Sequence, residues 1–540
     1  MQSSPPNDAD GRAATGGELD VVVVGGGVNS LVCALLLARS GLSVAVVEDK
    51  AAPGGMFRTE YPFGKAPRLA TFTGAHRVGF VPAELLMHVA VPLPLSPREP
   101  SMFVPTAAAG RYLLAGQGNE GLRQATGGVL SEADAKALGA MFAELDALVS
   151  DLGPAWTAGP MPVEEVGDRF VRPALRDAFV ALCRGSFAEY AARFGIQSSL
   201  VKAAIAADSL VGSFASWDTP GSGGSLLVRH AAGSLAGGGD AVAAGGLGAL
   251  ARRLAEEAKL AGATLVTGTP VTQILVEGNT ATGVLLADGR AVRAGAVVTS
   301  ADPSRLRALV GADHLPAEYS RRIDAFARPG GIAKVVVALS ELPRFTCLPD
   351  AVGQHRAVAF LLPGGEDDAV RGLGRAFADA SAGRIPGAPP IECVFPTATD
   401  ESLSDDEGRH SASLVVPWAP YDLAGTTWSA EEERFTNAVL DVLESFAPGA
   451  RALVTDAVVY HPKKIETHFG VTRGQLGHVD DTLLFGDRLA PATPVSGLYA
   501  CGRGCGPAGG VFGVAGLNAA RRVLADVELA LERTEVGVRG

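Results

Sequence analysis

The segment Leu19 to Ser30, LDVVVVGGGVNS, constrains this chain most, because it joins an apolar, β-branched run to three glycines and then to helical spacing. A parallel strand covered on both faces reads as such an unbroken run. The residues Leu31 to Ser40 (LVCALLLARS) suit a helix packed on that strand, Gly41 stops it, and Ser43 to Val47 (SVAVV) supplies a second strand. Together they form a βαβ unit. In the G-x-G-x-x-S pattern Gly25 permits the tight turn and Gly27 lets a phosphate approach the backbone. Ser30, where a third Gly or Ala is usual, is small enough for helix–strand packing, and Asn29 falls in the first helical turn, whose amides receive a pyrophosphate. Glu48 ends the second strand, with Asp49 beside it, where an acid accepts hydrogen bonds from the adenosine ribose and disfavours a 2′-phosphate. The alternative for Glu48 is a solvent-facing strand-end carboxylate. So far the turn calls for a dinucleotide, with NAD and FAD both open.

At 540 residues the chain exceeds one ordinary core, so two or three domains are expected, with two large lobes as the simplest arrangement. A hydrophobic share of 47% against 19% charged gives enough apolar side chain to bury. The net charge of −12 and the absence of a Lys/Arg run exclude a nucleic-acid partner. No stretch reaches the roughly 18 apolar residues of a spanning helix. Residues Met1 to Gly17 lack the apolar core of a secretory signal, so a cytoplasmic enzyme is expected, with peripheral membrane contact left open. The six scattered cysteines are expected to be reduced thiols; Cys501 and Cys505 lie close, but no second pair or nearby His completes a ligand set, and no metal site is expected.

Along the chain, helical spacing dominates from Glu132 to Ala206, notably Glu132 to Asp151 and Pro173 to Phe194, and predicts a helical cap. The Gly-, Ser- and Ala-rich zone Gly212 to Gly248 reads as loop crossing between lobes. A helix over Leu247 to Leu260 precedes strands at Ala263 to Thr267 and Val271 to Val276, then a hairpin of Thr282 to Leu286 with Arg290 to Arg293 across Asp288-Gly289, and a further strand at Ala296 to Thr299. Strands at Ile332 to Leu339, Ala357 to Leu362, Ile391 to Phe395 and Ser411 to Trp418 suggest a mostly antiparallel sheet. Helical spacing returns at Ala430 to Phe446, and the chain closes with a strand at Gly497 to Ala500, a glycine-rich turn and a helix.

Two further glycine segments decide between the dinucleotides. Gly54-Gly55-Met56-Phe57-Arg58-Thr59, followed by Phe72-Thr73-Gly74-Ala75-His76, resembles the second fingerprint of glutathione-reductase-like flavoproteins, whose loop runs along the pyrophosphate and ribityl chain. The third segment is Gly502 with Pro507-Ala508-Gly509-Gly510-Val511-Phe512-Gly513 and the helix after it; amides at that helix start would face the flavin and stabilise negative charge on the reduced ring. FAD is therefore the expected cofactor.

Nearly the whole chain resembles the phytoene desaturases and, more closely, phytoene dehydrogenase-related FAD oxidoreductases of the pyridine nucleotide-disulfide oxidoreductase domain-containing type. The resemblance is carried by the glycine motifs together with Asp208 to Gly212, Asp218-Thr219-Pro220-Gly221-Ser222, Gly245-Gly246-Leu247-Gly248, Pro396-Thr397-Ala398-Thr399-Asp400, Trp418-Ala419-Pro420-Tyr421 and His468-Phe469-Gly470-Val471-Thr472. It implies that Val271 holds the adenine through its backbone. The chain departs from relatives at Val28 and Gly506, where histidine is usual, so a polar group beside the flavin is missing.

The expected fold is α/β: a Rossmann-like FAD domain of glutathione-reductase/amine-oxidase type, discontinuous over 18–105, 240–310 and 490–533, after a tail over 1–17. A second α+β substrate domain, antiparallel sheet plus helical cap, occupies 106–239 and 311–489 and encloses an apolar tunnel. Flavin dehydrogenation needs mainly a C–H bond placed over the ring in a dry pocket. Among His76, His230, His468 and His478, His76 and His478 are the candidates for catalysis, His76 as the flavin-proximal one; for any single histidine a satisfied structural role is the alternative. The expected reaction is desaturation or oxidation of a hydrophobic, polyene-like or polyketide-like small molecule, with oxygen or a quinone reoxidising the flavin. A redox-neutral isomerase, an amine oxidase, or a non-catalytic binder such as the Rab GDP-dissociation inhibitors on the same fold are the alternatives. No CxxC motif supports disulfide reduction.

Overall fold

The computed structural model describes residues 19–116, 121, 125–233 and 240–538; the tail expected over residues 1–17 lies outside them. In chain order the strands are β1 (Leu19–Val24), β2 (Val44–Val47), β3 (Leu95–Pro97), β4 (Met102–Pro105), β5 (Tyr112–Ala115), β6 (Ala241–Ala243), β7 (Thr264–Val266), β8 (Val271–Glu277), β9 (Thr280–Leu286), β10 (Ala291–Thr299), β11 (Ile332–Leu339), β12 (Val358–Leu361), β13 (Ile391–Val394), β14 (His410–Pro417), β15 (Val454–Tyr460) and β16 (Leu498–Ala500).

The first sheet has the order β7-β2-β1-β10-β9-β8, with β16 added on β10. Its β7, β2, β1, β10 and β16 run parallel. Val21, Val22 and Val23 are fully buried, the burial on both faces that their unbroken apolar run required. Helices Val28–Arg39, Leu247–Leu260 and Val514–Val538 share one core cluster with these strands. The last of them crosses the first so closely that a Cβ at Gly516 would lie 2.0 Å from the Asn29 carbonyl oxygen.

The hairpin at Asp288-Gly289 forms as expected, but its second strand and the run at Ala296 to Thr299 are one strand. In β10, residues Ala291 to Arg293 pair antiparallel with β9, while Ala294 onward pairs parallel with β1 and then β16. Gly295 and Gly283, neither with a side chain to obstruct, lie along this joint.

The second sheet has the order β15-β11-β14-β13-β12-β4-β5 and is antiparallel apart from the β12–β4 pair. Met102–Pro105 thus pairs here, beside strands more than 250 residues later in the chain. β3 and β6 make a small ladder of their own.

Two expectations for the helical region change. The helix expected over Pro173 to Phe194 is broken into Arg176–Arg184 and Phe187–Ala192 by Gly185 and by Ser186, which caps the second piece in a capping box with Glu189. The zone expected to be loop from Gly212 to Gly248 contains a helix, Ser222–Gly233. Its small residues serve packing: a Cβ on Gly223 would lie 2.3 Å from the Leu182 carbonyl oxygen, and one on Gly224 2.5 Å from Leu484. Among the described residues no helix is long and apolar enough to cross a membrane.

Candidate functional site

A cavity of ≈ 450 Å³ is lined from both sheets, and the three glycine segments form one end of it. Gly25 has φ +94°, and a Cβ there would strike Ser300 Oγ at 2.3 Å, so the turn demands glycine twice over. The second segment docks on the first: Gly54 N–H donates to the Gly26 carbonyl at 2.8 Å, and Gly55 approaches Gly27 so that a Cβ would lie 3.2 Å from its Cα. The third segment docks on Phe80, a few residues beyond the second: Phe80 N–H donates to the Gly510 carbonyl and Phe512 N–H to the Phe80 carbonyl, both at 2.8 Å. Three stretches of chain, the last of them hundreds of residues from the others, thus build one wall.

Of the residues proposed from the sequence, Gly25, Gly27, Asn29, Glu48, Asp49, Gly54, Gly55, Arg58, Thr73, Gly74, Ala75, His76, Val271, His478, Gly502, Gly510, Val511 and Phe512 all line the cavity. Ser30 does not. It is fully buried beside Cys501, with the oxygen 3.8 Å from the sulfur, and fills the helix–strand contact that its size suggested. His230 and His468 also stay off the wall; they are engaged by Asp146 at 2.7 Å and Glu60 at 2.8 Å.

Glu48 is buried, not solvent-facing, and accepts from Gly26 N–H at 2.5 Å and Lys50 N–H at 2.9 Å. Burial and the adjacent Asp49 push it up to about 7. Arg58 and Thr73 are fixed by a shared partner, Glu60, which is 3.2 Å from Arg58 Nη2 and accepts the Thr73 hydroxyl.

The wall fits an adenine dinucleotide. A Cβ at Gly27 or Gly510 would meet no protein atom within 4 Å, so the bare backbone there faces open space. The helix beginning at Val28 has no side-chain cap at Gly27, which leaves its first amides for a ligand. Asn29 Oδ1, Arg58 Nε, His478 Nδ1, Asp481 Oδ1 and Arg503 Nε are buried polar atoms of the lining residues without a hydrogen-bond partner among the described residues. Buried polar groups are rarely left so unless a ligand or water completes them.

The other end of the cavity adds an ionic cluster to the apolar lining that was expected. Lys334 on β11 donates from Nζ to the Gly74 carbonyl at 2.5 Å, and burial lowers it to about 7. Glu392 on β13 stands 2.8 Å from His76 Nε2 and 3.4 Å from Arg77 Nη1. Arg77 also holds Asp208 at 2.6 Å and Asp240 at 3.0 Å. Burial, against the pull of Arg77, raises Asp208 to about 6. His76 has both nitrogens occupied, Nδ1 by Ser413 at 3.3 Å, and burial with nearby Lys334 lowers it to about 4. It is a neutral link between the Gly74 to His76 segment and the second sheet, with Glu392 of β13 on one nitrogen and Ser413 of β14 on the other. His478, also lowered to about 4 by burial, keeps Nδ1 unpartnered and sits at φ +62°.

Sequence reading missed Arg77, Arg229, Lys334, Glu392, Asp481 and Arg503, all of which line the cavity. One signal was available for two of them: a lone charge within an apolar strand, IAKVVVAL and IECV, needs a buried partner.

Comparison with known proteins agrees with this geometry. The chain is 31% identical to the mouse pyridine nucleotide-disulfide oxidoreductase domain-containing protein 2 over 95% of its own length and 94% of that relative. It is 27% identical to a neurosporene-forming phytoene desaturase of Cereibacter sphaeroides over 51% of each chain. The structure of a putrescine oxidase with bound putrescine shares the fold, with a TM-score of 0.59 at 17% identity over 95% of this chain and 99% of that one. The model of the flavin containing amine oxidoreductase family matches residues 31–524. The chain belongs to that family, and it is an oxidoreductase built on FAD.

Proposed function

We propose that the protein is a dehydrogenase or desaturase of phytoene desaturase type, removing two hydrogens from a largely hydrophobic, polyene-like or polyketide-like small molecule. The observation that carries this reading is the continuity of the cavity. Its glycine-lined end passes at Thr73 to His76 into a space bounded by Ile332, Lys334 and Val415 of the second sheet and by Val228 and Ala232 of the 222–233 helix. FAD, when bound, supplies the hydride acceptor. The chain's own part is placement and dryness: apolar side chains hold the substrate and exclude water, while Lys334, Glu392 and Arg77 fix the Gly74 to His76 segment. The likeness to a phytoene desaturase over half the chain supports the substrate class, and oxygen or a quinone would take up the electrons. Amine oxidation is a second reading, favoured by the match to the flavin containing amine oxidoreductase family over residues 31–524.

Anaerobic mixing of the yellow holoenzyme with hydrophobic donors, followed by the mass of the product, separates these readings. A bleached flavin and a product lighter by two hydrogens is the expected result. A carbonyl product with released amine supports amine oxidation, an unchanged mass with reduced enzyme supports an isomerase, and a protein that takes up no FAD sinks all three.

A further inference from the structure

The helix Ser222–Gly233 turns Ser225, Val228, Arg229 and Ala232 to the cavity, one face at helical spacing, while Gly223 and Gly224 seat it against Leu182 and Leu484. Arg229 is the ionic member of that face. Its Nε donates to Asp208 Oδ1 at 2.9 Å, and the same oxygen accepts from Arg77 Nη1 at 2.6 Å. The Arg229 side chain is 19% exposed, and its two terminal nitrogens have no partner among the described residues. A guanidinium is a planar fork of five N–H groups matched to a carboxylate. Asp208 occupies only the Nε donor, which sets the plane of the fork and leaves its end for a ligand.

Charge decides which ligand fits. At this end the cavity is lined by three cations, Arg77, Arg229 and Lys334, and two anions, Asp208 and Glu392. Asp240 lies behind Arg77, off the lining, and is itself held by Arg98 at 3.2 Å. With Lys334 protonated the wall carries one excess positive charge, which an incoming carboxylate would cancel and an incoming ammonium would double. Asp208 also already shares one oxygen between two guanidiniums, so a third cation there gains little.

We propose that Arg229 binds a carboxylate on the substrate, so that the molecule oxidised is a hydrophobic acid with its chain along Val228, Ala232, Ile332 and Val415 and its head on the Arg229 fork. The word substrate rests on the dehydrogenase reading; the anion site does not.

The test uses three probes of equal chain length, octanoate, octanol and octylamine, titrated into FAD-loaded enzyme and read by perturbation of the flavin spectrum and by calorimetry. Octanoate is expected to bind at least roughly tenfold tighter than the other two. Arg229→Gln should weaken octanoate by about 10- to 100-fold with FAD content unchanged, and Arg229→Lys by less, since a point charge replaces a fork. Equal binding of the three probes, a preference for octylamine, or undiminished octanoate binding in Arg229→Gln would each overturn the proposal. If Arg229→Gln fails to fold, the ranking of probes in the unaltered protein and the Arg229→Lys variant still decide. Selective octanoate binding without flavin reduction by any donor would remove the dehydrogenase reading and leave the anion site standing; reduction without selectivity would do the reverse.

Discussion

Lys334 stands in β11 with apolar neighbours along the strand, its ammonium satisfied by one carbonyl of a loop 260 residues earlier. Its folded value of about 7 lies below the ordinary lysine value, so between about 7 and 10.5 the unfolded chain binds the extra proton. The buried charge therefore costs stability below about pH 7, and that cost is relieved as pH rises through the window. Lys334→Met should leave the apo protein as stable or more so, by on the order of 1–4 kcal/mol at pH 6, and flatten its stability between pH 7 and 10 in denaturant titrations. Glu48→Ala acts on fold and cofactor together: the apo protein should lose about 1–3 kcal/mol as the Gly26 and Lys50 N–H groups lose their acceptor, while FAD retention after dialysis falls by about 10- to 100-fold, the value of a charged hydrogen bond to the ribose. A retained, undiminished yellow colour would contradict that role. Gly25 and Glu48 were legible in the sequence because they answer local demands, a positive φ and the end of a strand. The partners of Lys334 and Arg77 were not, because they are remote in the chain: Gly74 for the first, Asp208, Asp240 and Glu392 for the second.

Among elements, the Ser222–Gly233 helix and β10 departed most from expectation. Glycine, serine and alanine ordinarily mark loops, yet here they let a helix come within backbone contact of Leu182, a requirement of the neighbour that local composition does not reveal. Gly223→Ala should accordingly destabilise the protein by about 1–3 kcal/mol, read from the urea midpoint, despite alanine's better helix propensity. A stabilised variant would mean that the contact is looser than the structure has it. The β10 joint was hidden for a related reason: its first residues pair in a hairpin and its last in a parallel ladder, and each half carries the pattern of its own partner. Periodicity reads faces, and it does not say that two runs are continuous.

For the whole molecule, FAD touching all three glycine segments would act as a clasp on chain ends that otherwise meet through a few backbone bonds such as Phe80 to Gly510. Apo protein should unfold several degrees below the holoenzyme, with free FAD at a hundredfold its dissociation constant restoring about 2.7 kcal/mol; scanning calorimetry with graded FAD checks this, and a concentration-independent Tm would refute it. The two-lobe architecture was legible because apolar strand runs and helical spacing repeat over long stretches; the ionic end of the cavity was not, because it assembles from both lobes at once. The parallel ladder in which β16 joins β10 has a bearing on synthesis. A ribosome adding about 5–20 residues per second delivers Gly510 roughly half a minute to a minute and a half after Gly25. Throughout that interval the nucleotide seat is half-built, and from the completion of β10 at Thr299 until β16 follows, about 10–40 s later, the nascent chain also displays an open edge of β10, so cofactor loading would come late in synthesis and the newborn protein would depend most on chaperones before it.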